Sequence, residues 1–318
     1  LGLIFISPPF LKKLLLRWLC GAKIGHGAHI GWFSSVMGRQ IELGTHSVIR
    51  PFTLIKLAGE IKLGSYSEIS SFTLIYGSSC LVTGDHSYVG PQSLINADEE
   101  VRLGHGSALG PRSMVFTHGS FLPFTEGYWS RLAGVTIGDK VWCAAGVFIH
   151  PGVEIGDGTF VNSRSVVTQA VPAGSVVEGN PAKVIYPMER LKRKMSPRRV
   201  DAAIAHLLHD FSEIGLRREL GLDTIEETKY QLRFRWRRRP YHISVIPSTG
   251  DLPNLVEPAA GIRQILIVNR LGYSLPPGAM AFDLATMQTP FTSDRIHMAL
   301  RLFMQRYYGV KFRDQGRT

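Results

Sequence analysis

What this sequence lacks narrows it first. Its 318 residues hold only three cysteines, Cys20, Cys80 and Cys143, widely spaced and odd in number. That pattern indicates neither a disulfide framework nor a zinc knuckle, and a reducing cytosol is the simplest setting. No apolar run approaches the ~18 residues that a spanning helix needs. The segment Leu1 to Cys20 is apolar with a few cations, but these follow the apolar stretch instead of preceding it, which is not the layout of a signal peptide. The first residue is not Met, so the reading leaves room for residues upstream. Acidic side chains are also in deficit: 25 against 36 Lys and Arg, a formal charge of +11. Much of that excess sits between Arg190 and Pro240, with 14 basic residues against 7 acidic ones. Such a stretch suits nucleic acid, anionic lipid or an anionic substrate, or simply a solvated helix face and a basic turn. No nucleic-acid motif accompanies it.

What the chain does have is a repeat. Four stretches of twenty residues superimpose, beginning at Ile41, Ile61, Leu81 and Val101. Leu43-Gly44, Leu63-Gly64 and Leu103-Gly104 recur, and aliphatics return roughly every six residues, as in Ile49, Ile55 and Ile61. A helix cannot keep that spacing with Gly at every corner. The pattern predicts a three-sided coil with one short strand per side, its aliphatic inward, and Gly or Asn-type residues taking the backbone conformations of the corners. Stacked coils pair each strand with its counterpart about 4.8 Å along the axis. The pattern pauses after Ser120 and resumes at Val135, one period plus 14 residues beyond Val101. From there the period tightens to eighteen, Ile137-Gly138-Asp139 recurring as Ile155-Gly156-Asp157, followed by Val161, Val167 and Ala173.

The expected organisation has four parts. Residues 1–21 form a capping helix, with Leu11, Leu14, Leu15 and Trp18 on one face and Lys12, Lys13 and Arg17 opposite; an interfacial membrane helix is the sharper alternative. Residues 22–187 form the β-helix, with a loop insertion at 119–134. Residues 188–230 make a helical connector, with Val200, Ile204, Leu207, Leu208, Phe211 and Ile214 on one face after a Ser196-Pro197 start. Residues 231–318 form a small α+β domain, with strands near 243–246, 264–268 and 280–284 and a last helix ending before Gly309.

Long loops that interrupt a rigid scaffold tend to carry function. His118 stands where the chain leaves the regular coil and is the candidate general base, since neutral imidazole takes a proton from an attacking hydroxyl or amine near pH 7. Subtracting one period of twenty gives Asp98, a carboxylate stacked one coil below that would orient the imidazole. Asn96 on the same coil could bond an acceptor hydroxyl or serve a structural role. In the loop, Phe121, Phe124, Tyr128 and Trp129 suit a sugar ring, the wall of an acyl pocket or a neighbouring subunit. His86, His105 and His118 offer no persuasive metal-ligand spacing, and no metal is expected.

With these residues in view, the chain resembles the hexapeptide-repeat acyltransferases, particularly bacterial O-acetyltransferases of sugars and surface polysaccharides. The likeness runs from about Ile24 to Ile185. It rests on Thr117-His118, on Val135 to Trp142, on Ile149-His150-Pro151-Gly152-Val153-Glu154-Ile155-Gly156-Asp157, and on Ser165 to Thr168 followed by Gly179-Asn180-Pro181-Ala182-Lys183-Val184-Ile185. The resemblance implies a left-handed β-helix, a homotrimer with sites between subunits, and acetyl-CoA as donor. It carries the family's catalytic histidine onto His118. Its coenzyme groove maps onto Trp142, Ala144, Ala145 and Gly146, then Ser163, Arg164 and Ser165, with Asn180 and Lys183 near the end. Where relatives often read Trp-Ile-Gly and Gly-Ala-Gly-Ser, this chain has Trp142-Cys143-Ala144 and Asn162-Ser163-Arg164-Ser165. Arg164 is therefore the residue that would reach a coenzyme phosphate or alter donor preference. The function implied is acetyl transfer to a hydroxyl of a sugar in a glycan precursor, in the cytoplasm, with peripheral membrane contact as a further expectation and nucleic acid excluded as a partner. The rivals are N-acetylation of an amino sugar and a β-helix that only binds.

Overall fold

Three parallel sheets, each built from one short strand per coil, run the length of the first part of the chain in a computed structural model that describes residues 2–119, 122–249 and 261–315. The first face carries Gln40–Leu43 and its counterparts, the second Val48–Ile49, the third Leu54–Leu57. Registers give the period directly. Ile41 pairs with Ile61, Leu81 with Val101, and Val101 with Val135 across the insertion. Aliphatics at these positions stack into one continuous core from Ile4 to Val177; burying each contributes about 1.5–3 kcal/mol. The architecture is mainly β, as in a left-handed β-helix, and is followed by a mixed sheet domain with helices.

The last coil departs from the eighteen-residue rhythm. Ile155 bridges Val171 and Val161 pairs with Val177, so it closes two residues early and Ala173, expected inside, is exposed. Ser175–Gly179 then folds back against Ala182–Pro187 as an antiparallel hairpin that ends the second sheet.

Glycine takes left-handed backbone at some corners, as at Gly27, Gly106 and Gly158, in line with the sequence expectation, but residues with side chains take it at others. Left-handed backbone falls on His46, Tyr66 and His86 at one corner and on Phe33, Phe52 and Phe72 at the next. Their rings stack from coil to coil, with centroids 5.4 and 5.2 Å apart along His46, Tyr66 and His86 and 5.4 and 5.1 Å along Phe33, Phe52 and Phe72. Ring stacking along the axis offsets the cost of a positive φ at a residue with a side chain. Gly64 serves another purpose: a Cβ there would lie 2.3 Å from the backbone carbonyl of Gly84. It permits close approach of successive coils rather than a special dihedral.

The open end is capped by helices Gly2–Ile6 and Pro9–Cys20. The face packed inward is the reverse of the one the apolar pattern suggested. Lys12 and Leu16 are fully buried, whereas Leu14 and Trp18 are exposed. The reason is chemical: the first coil ends in unpaired carbonyls, and Lys12 Nζ donates to Gly31 O at 2.7 Å and Ser34 O at 2.8 Å. A leucine at that position would leave those carbonyls unsatisfied.

The second compact unit begins at Arg193. Its seven-stranded sheet places Arg239–Ile246, Arg263–Val268 and Met280–Asp283 in parallel, with Ile225–Thr228 and Gln231–Trp236 antiparallel at one edge. The basic run Arg235 to Arg239 forms the turn between Gln231–Trp236 and Arg239–Ile246, with Arg237 and Arg238 both at positive φ. In the helix Pro197–Asp210, Ile204 and Leu208 belong with Leu232, Ile243 and Phe282 to this unit's own core. The last helix, Arg295–Tyr308, starts on an Asp294 cap and ends at left-handed Gly309, as the sequence expectation placed it.

Candidate active site

Strand alternation aims the site. On the third face Val115 and Thr117 point inward and are fully buried, which turns Phe116 and His118 outward. Extending the pairing of Leu94 with Met114 and Ile95 with Val115 sets Asp98 beside His118. The two groups meet: His118 Nδ1 lies 3.0 Å from Asp98 Oδ2 and 2.9 Å from Asn96 Oδ1. Both neighbours are acceptors, so the network assigns the proton to Nδ1 and leaves Nε2 with a free lone pair.

Asp98 is itself held firmly. Asn96 Nδ2 donates to its Oδ2 at 3.0 Å, and the Ser78 amide donates to its Oδ1 at 3.0 Å. The Asn96 amide is the main reason its pKa lies below the ordinary carboxylate value; burial opposes this, and Ser78 and the nearby His118 add to the lowering. Asp98 therefore stays ionised wherever His118 would work as a base.

Asn96 does not lie where an acceptor could reach it. Its side chain is fully buried, and Oδ1 also accepts from the Thr117 hydroxyl at 3.1 Å. Its place is behind the His118–Asp98 pair, which is the structural role and corrects the alternative of acceptor contact. Sequence reasoning gave no role to Thr117, whose hydroxyl also accepts from the Glu99 amide at 3.1 Å, and missed Ser78. Ser78 was recoverable, since it lies one further period of twenty below Asp98. Also missed was the outward aromatic pair beside His118, Phe116 stacked on Phe148 with centroids 5.4 Å apart.

The loop after His118 folds back through an isolated bridge between His118 and Leu132, and Arg131 reaches toward the Gly152 carbonyl at 3.3 Å. Phe124, Tyr128 and Trp129 are exposed, Trp129 to 80%. Phe121, assigned with them, lies outside the described residues.

The residues mapped to the coenzyme groove divide. Ala145, Ser163 and Arg164 are exposed at one corner, where Gly146 and Arg164 take left-handed backbone and Arg164 N donates to Ala145 O at 2.9 Å. Trp142 is exposed on the adjoining face. Asn180 and Lys183 are exposed in the closing hairpin, Asn180 preceding a cis proline. Ser165 departs from the mapping: it is fully buried and its Oγ accepts from the Gly179 amide at 3.2 Å, so it ties coils together. Ala144 is nearly buried as well. A separate shallow cleft of about 430 Å³ lies on the first face, between Thr136, Glu154, Asp157 and Ala170. Its two carboxylates suit it poorly to phosphate groups. Among the described residues no group of His, Cys, Asp and Glu is placed to hold a metal ion.

Compared with known proteins, the chain matches no family profile. It is 55% identical over 51 residues to WcaF of Escherichia coli K12, provisionally named a colanic acid biosynthesis acetyltransferase; the match covers 16% of this chain and 28% of that one. It is 42% identical over 65 residues to YvoF of Bacillus subtilis, provisionally named an acetyltransferase, covering 20% and 38%. The chain thus spans between a quarter and two-fifths of the length of these curated relatives. A solved hexapeptide-repeat acetyltransferase from Vibrio cholerae in complex with acetyl coenzyme A is 23% identical, covers 58% of this chain and 80% of its own, and superimposes with a TM-score of 0.36.

Proposed function

We propose, taking the hexapeptide-repeat acetyltransferases as the family this chain resembles, that it transfers an acetyl group from acetyl-CoA to a sugar hydroxyl of a glycan or its precursor. One observation carries the reading: His118, at the root of the long insertion in the repeat, has Nδ1 fixed by Asp98 and Asn96, which leaves Nε2 to carry the free lone pair. The donor supplies an acetyl group activated as a thioester. His118 Nε2 takes the proton from the acceptor hydroxyl as its oxygen bonds to the acetyl carbonyl carbon, and the carbon–sulfur bond breaks. The same nitrogen then returns that proton to the departing sulfur, so the products are an acetyl ester and a free thiol. Asp98 stabilises the imidazolium between these two transfers and keeps its orientation.

The exposed corner at Ala145, Gly146 and Ser163 fits a pantetheine arm running beside Arg164, because Ala145 and Ser163 themselves carry nothing larger than a methyl or hydroxymethyl group. Arg164 and Lys183 would meet the phosphates. Exposed Phe124 and Trp129 suit an acceptor ring or a second subunit, and a trimer that places this loop against its neighbour is part of the reading. The test starts with the donor: calorimetric titration with acetyl-CoA, free CoA and a longer acyl-CoA should show saturable binding at one coenzyme per chain. Hydroxyl sugars and amino sugars are then compared as acceptors, and turnover of an amine alone would sink the O-acetyl reading.

A further inference from the structure

The rotation of the N-terminal helices leaves an unusual surface. Leu3, Ile6, Phe10, Leu14 and Trp18 follow one another at intervals of three and four residues, and each is between 59% and 82% exposed. Phe10, Leu14 and Trp18 make an apolar stripe along the second helix, and Leu3 and Ile6 an exposed apolar side of the first, both on faces the capped coil does not bury. The helices cannot roll to hide it. Lys12 on the opposite side is pinned by the carbonyls of Gly31 and Ser34, and Leu16 is locked in the coil's core. At Phe5 the helical surface meets the corner ladder, with the Phe5 and Phe33 rings 5.8 Å apart, and Phe33, Phe52 and Phe72 continue as an exposed aromatic ridge.

Charge decides what covers it. The first 41 residues contain no Asp or Glu, while Lys13, Arg17 and Lys23 lie in or just after the stripe-bearing helix. An apolar stripe with aromatic residues and only cations around it is complementary to an anionic lipid surface. Leu and Phe enter the acyl boundary, Trp18 sits at headgroup level, and the cations meet lipid phosphate. The two helices, of 5 and 12 residues, are too short to span a bilayer, and no described helix is long and apolar enough to cross one. They would lie in the plane of the interface.

We propose that this N-terminal face docks the protein on the surface of an anionic membrane. The test is co-sedimentation of the full chain with vesicles of phosphatidylcholine alone and of phosphatidylcholine containing phosphatidylglycerol. Binding is expected on the anionic vesicles and weakens with added salt. The triple variant F10S/L14S/W18S and the pair K13E/R17E should each reduce partition about tenfold or more, as expected from lost insertion and from charge reversal near the surface. Because the altered residues other than Arg17 make no described bond, melting temperatures should stay close to that of the parent chain. Three results overturn the proposal: no sedimentation with either vesicle, equal partition of the triple variant, or a fall in that variant's mass by light scattering, which would make the stripe a contact between copies of the chain.

Discussion

Asp98 Oδ2 stands 3.0 Å from His118 Nδ1, twenty residues along the chain and one coil away in space. His118→Ala should therefore lower turnover by roughly 10²- to 10⁴-fold, the usual worth of a general base, with coenzyme affinity unchanged in the same calorimetric titration. Asp98→Asn should cost less, because Asn96 still accepts from Nδ1. Wild-type rates for Asp98→Asn across the pH range would remove the carboxylate from the mechanism.

Asn96 acts through the other two. Its amide is the largest influence holding Asp98 below the ordinary carboxylate value of 3.8. Asn96→Leu should let the Asp98 pKa rise and should lower kcat with little change in KM. A carboxyl with a depressed folded pKa stabilises the fold above its unfolded value and loses that contribution as pH falls through the folded value. In the variant the contribution should be smaller and its loss should be complete at a higher pH, because the unfolded value at which it begins is unchanged. Acid unfolding followed by circular dichroism, run beside rate–pH profiles, separates this positioning role from simple destabilisation, which would shift stability equally at every pH.

The period made this much legible before any coordinates. Counting in twenties found Asp98 from His118, and one more subtraction would have found Ser78. Composition failed where backbone groups decide. Nothing in the letters around Lys12 shows that the coil it faces ends in bare carbonyls, so helical periodicity alone turned Trp18 inward and Lys12 outward. Asn96 could not be assigned from the letters for a related reason: alternation puts it on the same strand end as Asp98, but only the fold shows that Thr117 and His118 close over it. Ala173 illustrates a third limit, because a hairpin that shortens the last coil leaves no trace in an eighteen-residue count.

Close coil contact makes Gly64 intolerant of any side chain. Gly64→Ala would set a methyl 2.3 Å from the Gly84 carbonyl, so either the coils separate or the ladder between them breaks. Destabilisation beyond about 3 kcal/mol is expected, the range of overpacking with backbone displacement. Gly127→Ala is the control, since no atom lies within 4 Å and only its φ of 86° resists. It should cost about 1 kcal/mol. Urea melts of the two variants should rank them in that order, and equal midpoints would refute the close-approach account.

Lys12 offers a separation of packing from hydrogen bonding. Burial lowers its pKa from the usual value, yet its ammonium holds the carbonyls of Gly31 and Ser34. Lys12→Met keeps most of the volume but none of the donors and should cost about 1–3 kcal/mol for carbonyls left unpaired. Lys12→Ala adds a cavity and should cost about 2–5 kcal/mol. If the Met variant is as stable as the parent in thermal melts, the capping role assigned to the ammonium is wrong.

In the second unit Asp201 is buried yet acidic. Burial alone would raise its pKa; the amide of Ser248, the hydroxyl of Thr249, the amide of Asn269 and the hydroxyl of Ser248 outweigh it and hold the group at about 2. The folded pKa lies below the model value of 3.8, so the ionised form stabilises this unit at neutral pH. That contribution, about 2 kcal/mol by linkage, is present above pH ~4 and is lost as pH falls toward the folded value. Asp201→Asn keeps the shape but turns two of its acceptor oxygens into one, so some donors lose their partner. The variant should melt lower at pH 7, and its stability should fall less steeply than the parent's below pH ~4. Parallel acid-melting curves would show that Asp201 does not carry the proton linkage assigned to it.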